Sequence, residues 1–117
     1  MRFYILVIVL LSSSKLFSQN TKYKDVIRNV IENYNYRKID SLARIEGYAK
    51  GDSLKSVVVF KVNHKGKTFD VKATGSYVLF NELSEKIFNS MPKLYFDVKL
   101  KEGQHFMFEM PLVYRIR

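Results

Sequence analysis

The sequence predicts an α+β fold, an antiparallel sheet of three to four strands with helices packed on one face. Three observations lead there. Apolar residues between 23 and 34 recur with the period of a helix, and those between 106 and 116 with the period of a strand. Between them a β-branched hairpin is followed by a second helical stretch closed by proline. A chain of 117 residues with 47% hydrophobic and 15% aromatic side chains has enough apolar material for one packed core, which argues against disorder.

Tyr23, Val26, Ile27, Val30, Ile31 and Tyr34 fall on one helical face, with Lys24, Asp25, Arg28, Asn29 and Glu32 on the other. This predicts a helix from about Lys22 to Asn35, capped by Asn20 or Thr21. A shorter helix is expected over Ile39–Ile45, then a loop around Gly47 and Gly51. Lys55–Asn63 and Thr68–Thr74 read as a hairpin turning at His64-Lys65-Gly66-Lys67, with Gly66 at positive φ. Strict alternation would send Phe69 and Val71 to the core beside Phe60 and Val62. Asn81–Met91 is the next helix, with Asn81 as N-cap and Leu83, Ile87 and Phe88 buried; Pro92 ends it. Leu94, Phe96, Val98 and Leu100 also alternate, which allows a short extra strand. Gln104–Ile116 is the last strand, with Phe106, Phe108, Met110, Leu112, Tyr114 and Ile116 on its buried face.

Residues 1–18 read as a secretory signal peptide. Arg2 is followed by nine apolar residues, Phe3–Leu11, and then by Ser12-Ser13-Ser14-Lys15. A spanning helix needs about 20 apolar residues, so the run is too short to cross a bilayer. Cleavage near Ser18 would leave a single domain over residues 19–117 with 18 basic and 11 acidic residues, a net charge of +7. The expected location is periplasmic or secreted. There is no cysteine, hence no disulfide, thiolate metal site or thiol nucleophile.

Catalytic patterns are missing. His64 and His105 have no partner at ligand spacing, so no metal site is expected. Ser76, Ser84 and Ser90 lack a nucleophile-elbow context, and nothing in the sequence brings Asp70, Asp97, Glu102 and Glu109 together in pairs. The expectation is a protein that is not an enzyme, with no cofactor and no small-molecule substrate. Tyr34-Asn35-Tyr36-Arg37-Lys38 and the hairpin lysines 61, 65, 67 and 72 are read as a helix end and a solvated ribbon, and export argues against nucleic acid.

Four segments in order resemble the C-terminal domain family of TonB: Ile45-Glu46-Gly47, the Phe60–Lys67 hairpin with Val71 beyond it, the Leu83–Pro92 helix, and Met110-Pro111-Leu112-Val113-Tyr114-Arg115-Ile116. The likeness covers roughly residues 39–117. It is to a divergent form, with Tyr48–Lys55 intervening and without the family's membrane anchor and proline-rich linker. It implies a binding module of a Gram-negative-type envelope, engaging an extended peptide or an envelope protein such as an outer-membrane receptor, with a link to transmembrane transport. It also implies that the final strand lies at a sheet edge. Pro111 independently suits an edge, since it has no N–H to give a central ladder. The partner-binding residues would then be Gln104, His105, Met107, Glu109 and Val113, and the same edge could pair with its copy in a homodimer. The alternative is an accessory envelope protein that sets a basic face against lipid or polysaccharide and has no peptide site.

Overall fold

Two strands of eleven residues each, β2 (Ser53–Asn63) and β4 (His105–Arg115), form the backbone of the fold. They run antiparallel without a register break, from Ser53 opposite Arg115 to Asn63 opposite His105. The computed structural model describes residues 6–8, 22–96 and 99–117. Ahead of β2 lie β1 (Leu6–Ile8), α1 (Lys22–Asn33) and α2 (Arg37–Ile45); after it come β3 (Thr68–Thr74) and α3 (Val78–Asn89). β4, β2 and β3 make a three-stranded antiparallel sheet, and the three-residue β1 lies antiparallel along the free side of β4. The predicted α+β class, with helices over an antiparallel sheet, is what the chain adopts.

The alternation in β4 does what its regularity implies. Phe106, Phe108, Met110, Leu112 and Tyr114 are buried, and the residues between them are not. Leu54, Val58, Phe60 and Val62 of β2 join them. An aromatic cluster fills the middle of this layer. Phe60 lies 5.3 Å from Phe108 and 4.8 Å from Phe88 of α3, centroid to centroid. Tyr23 of α1 sits 5.5 Å from Phe108. Tyr23, Ile27 and Ile31 are fully buried, so the helical stripe read from the sequence is the face that packs. The Tyr36 hydroxyl donates to the Ile31 carbonyl at 2.6 Å, satisfying an acceptor that the end of α1 would leave open.

Four expectations need correction. Phe69 does not face the core. The β2–β3 register shifts between Val59 and Lys61, and Asp70 takes φ 53°, which inserts a bulge residue. Thr68 then points inward and is buried, while Phe69 turns to the outer face and meets the His105 ring edge-on at 5.8 Å. Val71, on the far side of the bulge, faces the core as expected and is half-buried against it. Asn81 is not an N-cap: α3 begins at Val78, and the Asn81 side-chain amide donates to the Gly75 carbonyl at 2.9 Å. Its buried positions are Phe80, Ser84, Ile87 and Phe88, with Leu83 half-buried. Finally, the 93–102 segment contains no strand among the described residues, although Leu94, Phe96 and Leu100 pack on the core. Asp97 and Val98 lie outside the described residues.

The hairpin turn fits its glycine. Gly66 has φ 82°, and a Cβ there would collide with the Leu94 carbonyl oxygen. The Leu94 N–H donates to the Gly66 carbonyl at 2.8 Å, so the turn anchors the chain leaving α3.

Candidate functional site

The outer side of β4 can be built from its hydrogen-bond parity. The Ile116 N–H donates toward β2, to the Asp52 carbonyl at 2.8 Å. In an antiparallel strand, amide direction alternates residue by residue. With no register break in β4, its even-numbered residues direct their amides to β2. Its odd-numbered residues, His105, Met107, Glu109, Pro111, Val113 and Arg115, direct theirs to the free side. Pro111 thus places its missing N–H where no ladder bond to β2 is lost.

β1 uses this side, so over Met107–Glu109 the final strand is not the sheet edge that was expected, because β1 lies outside it. Leu6 lies opposite Glu109, Val7 opposite Phe108 and Ile8 opposite Met107. By the same parity, Glu109 and Met107 present their backbone groups to β1. Its pairing covers three residues of β4; the free side from Met110 to Arg115 meets no strand among the described residues.

Side chains of the same odd-numbered residues share the outer face of the sheet. His105, Met107, Glu109 and Val113 are half-buried there, so four of the five residues expected to bind a partner stand in one row. Their cross-strand neighbours on β2 are Asn63, Lys61, Val59 and Lys55. Gln104 behaves differently. Its side-chain oxygen accepts the Lys101 N–H at 2.9 Å, closing the turn before the strand rather than facing an incoming chain. Lys61 bridges to Asp70 at 2.9 Å, and that contact holds the Asp70 carboxyl below its ordinary range.

A second constellation escaped the sequence reading. Asp40, in the first turn of α2, accepts the Tyr114 hydroxyl at 2.5 Å and the Arg117 backbone N–H at 3.1 Å through one oxygen. Its other oxygen accepts Arg44 Nε at 2.8 Å. The Tyr114 and Arg44 bonds hold its carboxyl down to about 2. Burial, and then the bond to Asp40, pushes the Tyr114 hydroxyl up to about 12. The Tyr114 ring stacks on Tyr36 at 4.9 Å, and Tyr36 meets Tyr34 at 5.5 Å. These residues line a cleft of about 1040 Å³, together with Glu32, Arg37, Lys50, Arg115 and Arg117 among others. Asp40 and Tyr114 are 74 positions apart, and no local spacing announces the pair.

Among the described residues, no group of three histidine, cysteine, aspartate or glutamate side chains is placed to hold a metal ion, and no helix is long and apolar enough to cross a membrane. No family model, no curated protein and no solved structure matches this chain.

Proposed function

We propose that this chain is an exported binding module of the TonB C-terminal type, which takes an extended peptide segment of an envelope protein as an added strand on β4. The observation that carries the reading is the pairing of Leu6–Ile8 with Met107–Glu109: the free side of β4 accepts an antiparallel strand, and the chain's own apolar segment is an example of one. Residues 1–18 act as a cleavable leader, so maturation would vacate this side for a partner. Main-chain hydrogen bonds would supply affinity, and the row His105, Met107, Glu109 and Val113 would supply selectivity. Pro111 offers no donor on that side, which favours registers centred on His105–Glu109, where β1 lies. An outer-membrane receptor is the envelope partner this reading favours, and a second copy of β4 would compete for the same backbone groups.

Titration of extended receptor-derived peptides into isotope-labelled protein starting at Gln19 tests the reading. Amide shifts should concentrate between Gln104 and Tyr114 and weaken in Met107→Lys. Peptides N-methylated at alternate residues should not bind, because they lack the donors for a ladder. Equal binding of the methylated peptides, or shifts confined to Lys61, Lys65, Lys67 and Lys72, would overturn it.

The outer sheet face favours a second reading. Lys55, Lys72 and Arg115 are exposed there beside Val57, which is 38% exposed, a basic and apolar mixture suited to anionic lipid or polysaccharide. Binding to anionic vesicles that survives Met107→Lys and is lost in Lys55→Glu/Lys72→Glu would favour this accessory role.

A further inference from the structure

We infer that the cleft between the start of α2 and the end of β4 binds a sugar-sized ligand carrying an oxyanion, independently of any peptide on the β4 edge. The cleft, about 1040 Å³, is at the large end of what small ligands occupy. Three separate segments bring cations to it: Arg37 from the first residue of α2, Lys50 from the turn before β2, and Arg117 from just beyond β4. All three are exposed, and among the described residues none of these side chains is in an ion pair. Two acids share the lining. Asp40 is already committed to Arg44, the Tyr114 hydroxyl and the Arg117 amide, which leaves Glu32. The cleft therefore has an excess of positive charge on a concave wall, where the field of several cations adds up.

The floor sets the body of the ligand. Tyr36 and Tyr114 are stacked at 20° between ring planes, and half-buried Tyr34 leans against Tyr36 at 60°. Tyr34 offers part of a ring face, against which the C–H face of a pyranose packs. Asn35 and Ser41, both exposed, add polar groups at the rim that can meet hydroxyls. Guanidinium groups favour carboxylate and phosphate oxygens through paired donors, so both acidic sugars and sugar phosphates meet the requirement. Asp40 is a positioning residue: it ties α2 to the end of β4 and so holds Arg37 and Arg117 on the same wall.

The test is titration of the labelled full chain with glucuronate, glucose 6-phosphate, inorganic phosphate and glucose, read by amide shifts. Saturable shifts at residues 34–41, 50–51 and 114–117 are expected with glucuronate, glucose 6-phosphate or both, and the stronger of the two identifies carboxylate or phosphate as the preferred oxyanion. Glucose should give none. Arg37→Gln/Arg117→Gln should weaken binding at least about tenfold, whereas Lys65→Gln/Lys67→Gln, which removes the same charge from the hairpin turn, should change it less than about twofold. Four results would overturn the inference: no saturable shift with either acidic sugar, equal shifts with glucose, inorganic phosphate binding as tightly as both sugars, or equal losses in the two double variants.

Discussion

The sheet has two sides where a strand could be added, and they are built in opposite ways. On the β3 side, the register breaks between Val59 and Lys61, Asp70 sits at φ 53°, and Glu85 of α3 accepts the Ala73 N–H at 2.9 Å. A bulge and a side-chain cap together leave little regular edge to template another chain. On the β4 side, eleven residues run without a bulge, and β1 lies on three of them. One edge is closed by its own side chains and the other is kept regular. A protein that only needed protection from aggregation would blunt both. The asymmetry makes the β4 side the place to look for a partner.

The largest expected effect tests how deeply each strand is rooted. Phe108→Ala removes a buried ring that touches α1, β2 and Phe96, and should cost about 3–5 kcal/mol in urea melts. Phe69→Ala, on the outer face of β3, should cost about 1 kcal/mol. Equal losses would mean that the bulge does not turn Phe69 outward.

Asp40→Asn comes next, because Asp40 ties the far end of β4 to α2. Losing a carboxylate that receives three hydrogen bonds should cost about 1–2 kcal/mol at neutral pH. Its folded-state pKa of about 2 lies below the ordinary 3.8. A depressed pKa means that the unfolded chain binds the proton first. The contribution is therefore complete above about pH 4 and is lost as pH falls from 3.8 toward 2. Wild type and Asp40→Asn should converge in stability over that interval, and a constant gap down to pH 2 would contradict the assignment.

Glu85→Ala removes the cap on Ala73 and should cost about 1 kcal/mol. It also sharpens the comparison between the edges, because amide exchange at Ala73 should accelerate while exchange at Met107 and Glu109 stays unchanged. The smallest effect is at the turn joining β2 to β3, where exposed Lys65→Ala should stay within about 0.5 kcal/mol.

What could be read from the sequence follows the range of the interaction behind each feature. The stripe of α1 and the alternation of β4 are local periodicities, and both appear in the structure as the buried faces. Gly66 was legible because a tight turn needs positive φ. Phe69 was misread because one bulged residue reverses every side chain beyond it, and alternation carries no mark of an insertion. Asn81 looked like a cap by residue type, but its amide is used by Gly75, whose close approach to Lys55 depends on tertiary packing. The row His105, Met107, Glu109 and Val113 was legible as one strand face. The turn that engages Gln104 and the cleft around Asp40 were not, since the latter joins α2 to the end of β4.

Hydrogen exchange at the β4 amides, measured on the full chain and on a chain beginning at Gln19, tests most directly whether this strand is an edge that accepts another. In the full chain, Met107 and Glu109 should exchange slowly and Val113 and Arg115 fast, with Phe108, Leu112 and Tyr114 slow in both forms. Without residues 1–18, Met107 and Glu109 should become fast, and a bound extended peptide should slow them again. Met107 and Glu109 exchanging at the same slow rate in both chains, with no response to peptide, would contradict the account.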